Sequence, residues 1–520
     1  MRGNICWSIW AILLPFFFGC ASAPKPVIIQ HERTPSQSDA ALPREQPQKE
    51  PADQKIAAMA ELLEKKNAMD SGETALVTGQ TETAATADKK AANAADINAQ
   101  LTEIKKEIEE QVRNDVMNEL LREVWKINSA MAEKDKRFRF SGDIRLRYEK
   151  DLYDSNNAAF AQPANPSELM NTTVDSDRFK YRVRFGVEAM VNERMDAVIR
   201  LSTGNTANPV STNVTIGNYM NKDAVVFDLA YLKWQPWKSI SWFGGRMPNP
   251  FFSSDLVWAK DLSFDGLVLH GRAPNEETWT PFFTAGAFPL QQNDFTAHQK
   301  WLAAGQLGLE RKSSKGVAFR IGSAYYDFEN ITGVLNNPDN PGATNWTAPL
   351  YQQKGNTLFN ISSDPTIYLT ALAAKYKELN FTGTLDIGFW DPVHIVFLGD
   401  YVKNLGFNSA EVAQNTGNPD PSKEIEGYQY GLSVGYPATY AAGQWKVYFY
   451  KKRLESDAVV DAFTDPDFHL GGTNAQGWIM GTDLGLAKNN WLTIRWLTAD
   501  QISGPPLAID VLQVDFNARF

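Results

Sequence analysis

Two short stretches carry charged side chains at every second or fourth position. Arg139, Asp143, Arg145 and Arg147 stand in the first; Lys180, Arg182, Arg184 and Glu188 stand in the second. Residues two apart on an extended chain share a face, so each stretch presents one polar face backed by rings and aliphatics. Arg200 continues the set. If the two stretches pair antiparallel, guanidinium groups come side by side, which is costly unless water or counter-ions screen them. Such a wall would raise the local anion concentration. The plainer alternative is a set of ordinary solvated residues, since any surface lining a wide aqueous space is polar.

A second candidate lies in Pro248–Leu262. Pro248-Asn249-Pro250 stiffens its start, and Phe251, Phe252, Leu256, Val257 and Trp258 make it too apolar for a solvated loop. Folded inwards, it would set Asp255, Lys260 and Asp261 against Arg246 and the basic wall, a constriction with opposite charges on opposite sides. The alternative is a loop that covers a rim or packs at a subunit contact.

Covalent and metal chemistry find no support. The five histidines, His31, His270, His298, His394 and His469, form no metal-spaced pair, and no GxSxG stretch occurs. The only cysteines, Cys6 and Cys20, precede any folded region, which excludes a disulfide framework or a cysteine zinc site. No cofactor and no metal is expected. The net charge of -10 argues against nucleic acid as a partner.

The elements that must position these residues are strands. From Arg137 the pattern alternates with a period of two, and the segments often exceed the roughly 9–11 residues that a tilted membrane strand needs. Alternation and breakers predict sixteen strands, near 137–149, 178–191, 194–204, 223–235, 239–247, 263–273, 278–288, 300–311, 315–328, 379–390, 393–404, 425–436, 443–455, 475–487, 490–499 and 508–520. The Ala-rich stretch around Tyr368–Leu379 is read as a helical or irregular part of a long loop, because a strand there would break the parity. Short connections (192–193, 236–238, 312–314, 391–392, 488–489) alternate with long ones (150–177, 205–222, 248–262, 329–378, 405–424, 456–474). Short turns at one end, long loops at the other and an even strand number describe a transmembrane barrel. A mean hydropathy of -0.36 with 12% aromatic residues fits, because only alternate strand residues meet lipid. Rings near strand ends, among them Tyr148, Trp234, Trp242, Trp301, Tyr325, Tyr326, Trp390, Tyr401, Trp445, Trp478 and Trp491, suit two interfacial girdles.

Residues 1–23 have the basic start, apolar run and small residues of a secretory signal. Phe17-Phe18-Gly19-Cys20 resembles a lipoprotein box, which makes Cys20 a candidate lipidation site. Residues 24–95 lack aromatic residues and are predicted to be a disordered linker, with a short helix at Ile56–Lys66. Residues 96–132 carry an apolar stripe from Leu101 through Ile104, Ile108 and Val112 to Met131. This predicts a helical arm, either a coiled coil between subunits or a single helix against the barrel. The expected fold class is thus an all-β membrane protein: a sixteen-stranded antiparallel barrel over 137–520, preceded by a linker and a helical arm.

The barrel region resembles the putative porin family of Gram-negative bacteria. The likeness rests on Gly142–Arg147 (GDIRLR), Phe227–Trp234 (FDLAYLKW), Gly245–Phe252 (GRMPNPFF), Asp255–Gly266 (DLVWAKDLSFDG) and Phe397–Asn404 (FLGDYVKN). It implies an outer-membrane channel, a homotrimer, passing small hydrophilic solutes or ions. The alternating C-terminal segment ending in Phe520 resembles the signal read by the outer-membrane insertion machinery. Two other functions are weighed: a barrel that tethers the envelope through its N-terminal arm, and a barrel enzyme, which the missing nucleophile and base disfavour.

Overall fold

A computed structural model describes residues 57–65, 96–115, 117–119, 122–123, 137–162, 165–273, 279–292, 299–313 and 316–520. The chain divides into two units, residues 1–127 and 128–520. In the first, 57–65 and 96–115 are helical, and Leu101, Ile104 and Ile108 are half-buried among exposed neighbours. The secretory signal, Cys20 and most of the expected linker lie outside the described residues. No helix among those described is long and apolar enough to cross a membrane.

The second unit is a closed antiparallel barrel. Its sixteen long strands are β1 (Phe138–Tyr153), β2 (Ser176–Asn192), β3 (Met195–Thr203), β4 (Val225–Trp237), β5 (Ile240–Pro248), β6 (Ser263–Arg272), β7 (Thr280–Gln291) and β8 (Lys300–Lys312). They continue as β9 (Val317–Glu329), β10 (Lys377–Trp390), β11 (Val393–Asn404), β12 (Glu426–Gly435), β13 (Trp445–Leu454), β14 (Ala475–Ala487), β15 (Asn490–Gln501) and β16 (Ala508–Arg519). Each pairs with its sequence neighbours, and β1 pairs with both β2 and β16, so the sheet has no free edge. Closure satisfies every strand's backbone groups, the condition for spanning lipid.

The seam explains a glycine. Gly142 and Phe520 exchange backbone hydrogen bonds of 2.9 and 3.0 Å. A Cβ on Gly142 would come within 2.4 Å of the Phe520 ring, so only glycine leaves room for the terminal phenylalanine there.

The side-chain alternation sorts as its chemistry demands. Phe140, Ile144, Leu146, Phe179, Val183 and Phe185 stand exposed on the outer face, while Arg147 and Arg182 are buried inside. Two rings depart from the expected girdles. Tyr326 is fully buried inside the barrel, next to outward Tyr325, and Trp491 faces inwards. One rim carries the connections 193–194, 238–239, 273–279, 313–316, 391–392, 436–444 and 488–489 and both ends of the barrel segment; the long loops gather at the other. The alternation in length is imperfect, since 292–299 and 502–507 at the loop rim are short. Within the long loop 330–376, Thr370–Leu372 pairs with Leu358–Asn360 in a small ribbon apart from the barrel. The stretch is neither helical nor a seventeenth spanning strand.

Candidate pore and constriction

The loop 249–262 enters the barrel. Asn249 turns it: its side chain accepts from the Phe251 amide (2.9 Å) and donates to Ser253 Oγ (3.0 Å). Gln306 of β8 then grips Phe252 as a strand would, accepting from its amide and donating to its carbonyl, both at 2.8 Å. The Ser254 amide donates to Asp400 of β11 (3.0 Å). Gln429 of β12 donates to the Asp255 carboxylate (2.7 Å), and Lys452 of β13 donates to the Asp255 carbonyl (2.8 Å). Farther on, Asp261 accepts from Arg182 (3.3 Å) and Arg184 (3.4 Å) of β2 and from Thr212 (2.9 Å). The segment is therefore held from within by strands spread around the ring.

What keeps it there is apolar packing. Leu256, Val257 and Trp258 are buried against the inward faces of β6–β9. The Trp258 ring lies 5.0 Å from both Phe264 and Tyr326, edge to face, and Phe251 meets Tyr326 at 5.2 Å. Edge-to-face contacts at these distances add to the stabilisation from burial itself. The loop 455–474 closes over the top: Phe463 packs on Trp258, and its carbonyl accepts from the Ala259 amide (2.8 Å). Trp258 is consequently an anchor in a dry core, not a group presented to solvent.

Opposite this core stands the charged wall. Register sets Asp143 against Arg184, Arg145 against Arg182 and Arg147 against Lys180. The guanidinium groups do come side by side, but the wall is not basic in sum, because acids from distant segments meet each cation. Asp143 accepts from Arg182 (2.8 Å) and Arg184 (2.7 Å). Arg147 is clamped by both oxygens of Asp515 (2.7 and 2.8 Å) and by Asp467 (3.0 Å). Lys180 donates to Glu149 (2.6 Å), Arg145 to Asn517 (3.2 Å), and Arg495 to Asp467. Arg200 pairs with Asp228 at 2.6 Å, and Arg139 with Glu188 at 3.3 Å near the short-turn rim.

Arg246 does not face the loop. It pairs with Asp265 at 2.7 Å, and it lies on β5 four residues from outward Trp242, while Asp265 lies two residues from outward Leu267. Strict alternation from Trp242 puts Arg246 on the outer surface, which corrects its expected place at the constriction.

Between loop and wall lies a cavity of about 460 Å³ lined by Asp255, Lys260, Asp261, Tyr448, Trp491 and Arg495, among others. Lys260 is exposed to it and stands 3.7 Å from Asp255. Burial alone would raise the loop carboxylates, but the cations win. Lys260, Lys452 and the Gln429 hydrogen bond hold Asp255 far below the usual range. Arg182, Arg184 and Arg145 hold Asp261 below it, and Arg147 and Arg495 do the same to Asp467. These three carboxylates therefore stay ionised well into acid, whereas burial and the neighbouring Asp467 raise Asp465 in the same cavity.

His270 meets Thr284 (3.0 Å), His394 meets Asp386 (2.7 Å) in ordinary pairs, and His469 is buried with Nε2 on the Leu507 carbonyl (3.1 Å). Among the described residues no group of His, Cys, Asp and Glu is placed to hold a metal ion. Gln306, Asp400, Gln429, Lys452, Arg495, Asp515 and Asn517 were not singled out from the sequence. Each is a polar residue at an inward strand position, so the same alternation would have found them.

No curated protein matches the sequence. Solved outer-membrane proteins resemble the fold at low identity. OprB of Pseudomonas putida is 11% identical, with a TM-score of 0.45, over 75% of this chain and 96% of its own. The channel DcaP of Acinetobacter baumannii is 10% identical, with a TM-score of 0.41, over 74% and 97%. OmpF of Salmonella typhi is 9% identical, with a TM-score of 0.39, over 74% and 97%. A family model described as "Putative porin" matches residues 48–520, which include the whole barrel. With that match across a closed sixteen-stranded barrel, the chain belongs to the putative porin family and is an outer-membrane diffusion channel.

Proposed function

We propose that the protein passes small hydrophilic solutes or ions without covalent chemistry, through an eyelet formed by the loop 249–262 and the wall of β1, β2, β15 and β16. The observation that carries this reading is the reach of the loop. Its two arms are held by β8, β11, β12 and β13 on one hand and by β2 on the other. Asp255, Lys260 and Asp261 face Arg145, Arg147, Arg182 and Arg184 there, and a solute crossing between them must turn its dipole into that field.

Because carboxylates match the wall cations, the eyelet screens by size and polarity and selects weakly by sign. This revises the anion bias expected from the arginines alone. Recording of single channels under a salt gradient tests it. A reversal potential near zero is expected; a strong preference for either sign would overturn the balanced eyelet.

The same reading sets the long loops outside and the short turns and N-terminal arm in the periplasm, and makes the working unit a homotrimer in outer-membrane lipid. Phe520, seated on Gly142 at the seam, serves the insertion machinery in assembly, and Cys20 is a lipidation site.

A further inference from the structure

Between the eyelet and the short-turn rim, the lumen wall changes character. Tyr450 and Tyr448 of β13 stack with centroids 5.9 Å apart and planes at 29°. Tyr448 lies across Gly481 of β14, where a Cβ would come within 2.4 Å of the ring, so glycine is what lets the ring lie down on the wall. Two register levels lower, Trp491 of β15 meets Tyr440 edge to face at 5.4 Å. Register fixes what separates the rings. Tyr448 is level with Gly481 and Arg495; Lys446 is level with Asp483 and Thr493; Trp491 is level with Gly485 and Asn517. A polar row of Lys446, Asp483 and Thr493 thus runs between two aromatic steps, and all of these side chains line the cavity.

The charges in this row are balanced. Lys446 donates to the Pro437 carbonyl (2.8 Å) and is level with Asp483, which accepts from Thr493 (2.6 Å). Arg495 is held by Asp467 and Gln513. Lys446 is left to a backbone carbonyl, with Asp483 at the same level to offset its charge, so the row as a whole does not favour an anion. A ring with apolar faces and a polar, uncharged edge would fit both features, one face laid on Tyr448 or, two register levels on, on Trp491, and its edge against Lys446, Asp483 and Thr493. A pyranose ring is such a molecule, with C–H groups on its faces and hydroxyls around its rim. We infer that Tyr448, Trp491, Lys446, Asp483 and Thr493 form a sugar-binding subsite below the eyelet, through which neutral pyranosides pass along the aromatic steps.

The inference rests on the chain being a water-filled channel. The full-length protein is reconstituted in planar bilayers and the salt current is titrated with maltose, with acyclic mannitol and with benzoate. Maltose is expected to reduce the current saturably, and mannitol and benzoate are not. In the Tyr448→Ala/Trp491→Ala double variant the half-blocking maltose concentration should rise about tenfold, each titration being normalised to that variant's own current. Trp491→Phe, which keeps a ring, should retain most of the block. Heat-modifiable migration in gels shows that each variant has folded. Block by mannitol or benzoate as strong as by maltose, unchanged block in the double variant, or no block at all would each overturn the subsite while leaving the channel intact. Absence of any current steps would instead sink the channel reading, and the subsite with it.

Discussion

The two halves of the barrel interior are built on opposite principles. Along β6–β9 the inward residues beside the loop include Val268, Phe288, Leu302, Ala324, Tyr326 and Phe328, and on them packs the apolar part of the 249–262 loop, with Gln306 as its polar grip. Along β15, β16, β1 and β2, below a smaller apolar patch of Leu497, Ile509 and Val511, they include Arg495, Gln513, Asp515, Arg147, Glu149 and Arg182, joined by ion pairs and hydrogen bonds. One half buries a loop as a soluble protein buries a helix; the other leaves a wet passage. The comparison teaches that a narrowed lumen needs a dry half, because a loop cannot hold its place across water by hydrogen bonds worth about 1 kcal/mol each.

The largest break in this contrast should come from Trp258→Ala. Removing a ring that touches Phe264, Tyr326, Phe328 and Phe463 is expected to cost about 3–5 kcal/mol. Thermal unfolding in detergent should show the loss, and single-channel conductance should rise as the loop leaves the wall.

On the wet side, Arg182→Ala strips a shared cation from Asp143 and Asp261. A penalty of about 1–3 kcal/mol is expected from the carboxylates left behind. The reversal potential under a salt gradient should move towards cation preference, while the same measurement on Trp258→Ala should change mainly in size.

The loop clasp offers a pH test. Lys354 of the 330–376 loop is half-buried, with its ammonium sunk onto the His469 and Gly471 carbonyls, and desolvation lowers it to about 7. Burial raises nearby Asp461, which accepts from the Gln353 amide (2.8 Å), to about 6. A raised carboxyl binds its proton more tightly when folded, so its contribution is full below the ordinary carboxylate range and is lost as pH rises to about 6. A lowered amine favours the neutral folded form, so stability climbs as pH rises above about 7 towards its ordinary range. Melting temperature against pH should therefore dip between these values. Asp461→Asn should make the acid limb shallower and leave the basic limb as it is, Asp457 and Asp465 being raised by burial as well; an acid limb unchanged by it would refute the assignment.

Arg246→Ala should do least. Its partner Asp265 is half-exposed on the outer face, and such pairs contribute about 0–1 kcal/mol. Conductance and reversal potential should stay as they are. A changed selectivity would return Arg246 to the lumen and break the division drawn here.

Much of this was legible beforehand. Strands such as Val393–Asn404 and Ala475–Ala487 have the bounds that alternation gave, because a face in lipid and a face in water force a period of two. Inward Arg145 and Arg182 followed from the same rule. Arg246 stands next to the loop in sequence, which suggests the constriction, but its even spacing from outward Trp242 puts it on the lipid side by the same rule. The acids that neutralise the wall were hidden for another reason: Asp467 meets Arg147 across 320 residues of chain. No local pattern encodes where a long loop such as 455–474 will come to rest, since that depends on the shape of the core it caps.

If the 249–262 loop narrows the water path, Lys260, exposed in the cavity beside Asp255, stands in the current. Lys260→Cys is reconstituted in planar bilayers and treated with a thiosulfonate reagent carrying a sulfonate. Each channel should lose conductance in a discrete step that a reducing agent reverses, with the unsubstituted protein unaffected. Steady conductance despite complete labelling, verified by mass, would place the loop away from the current and contradict the account.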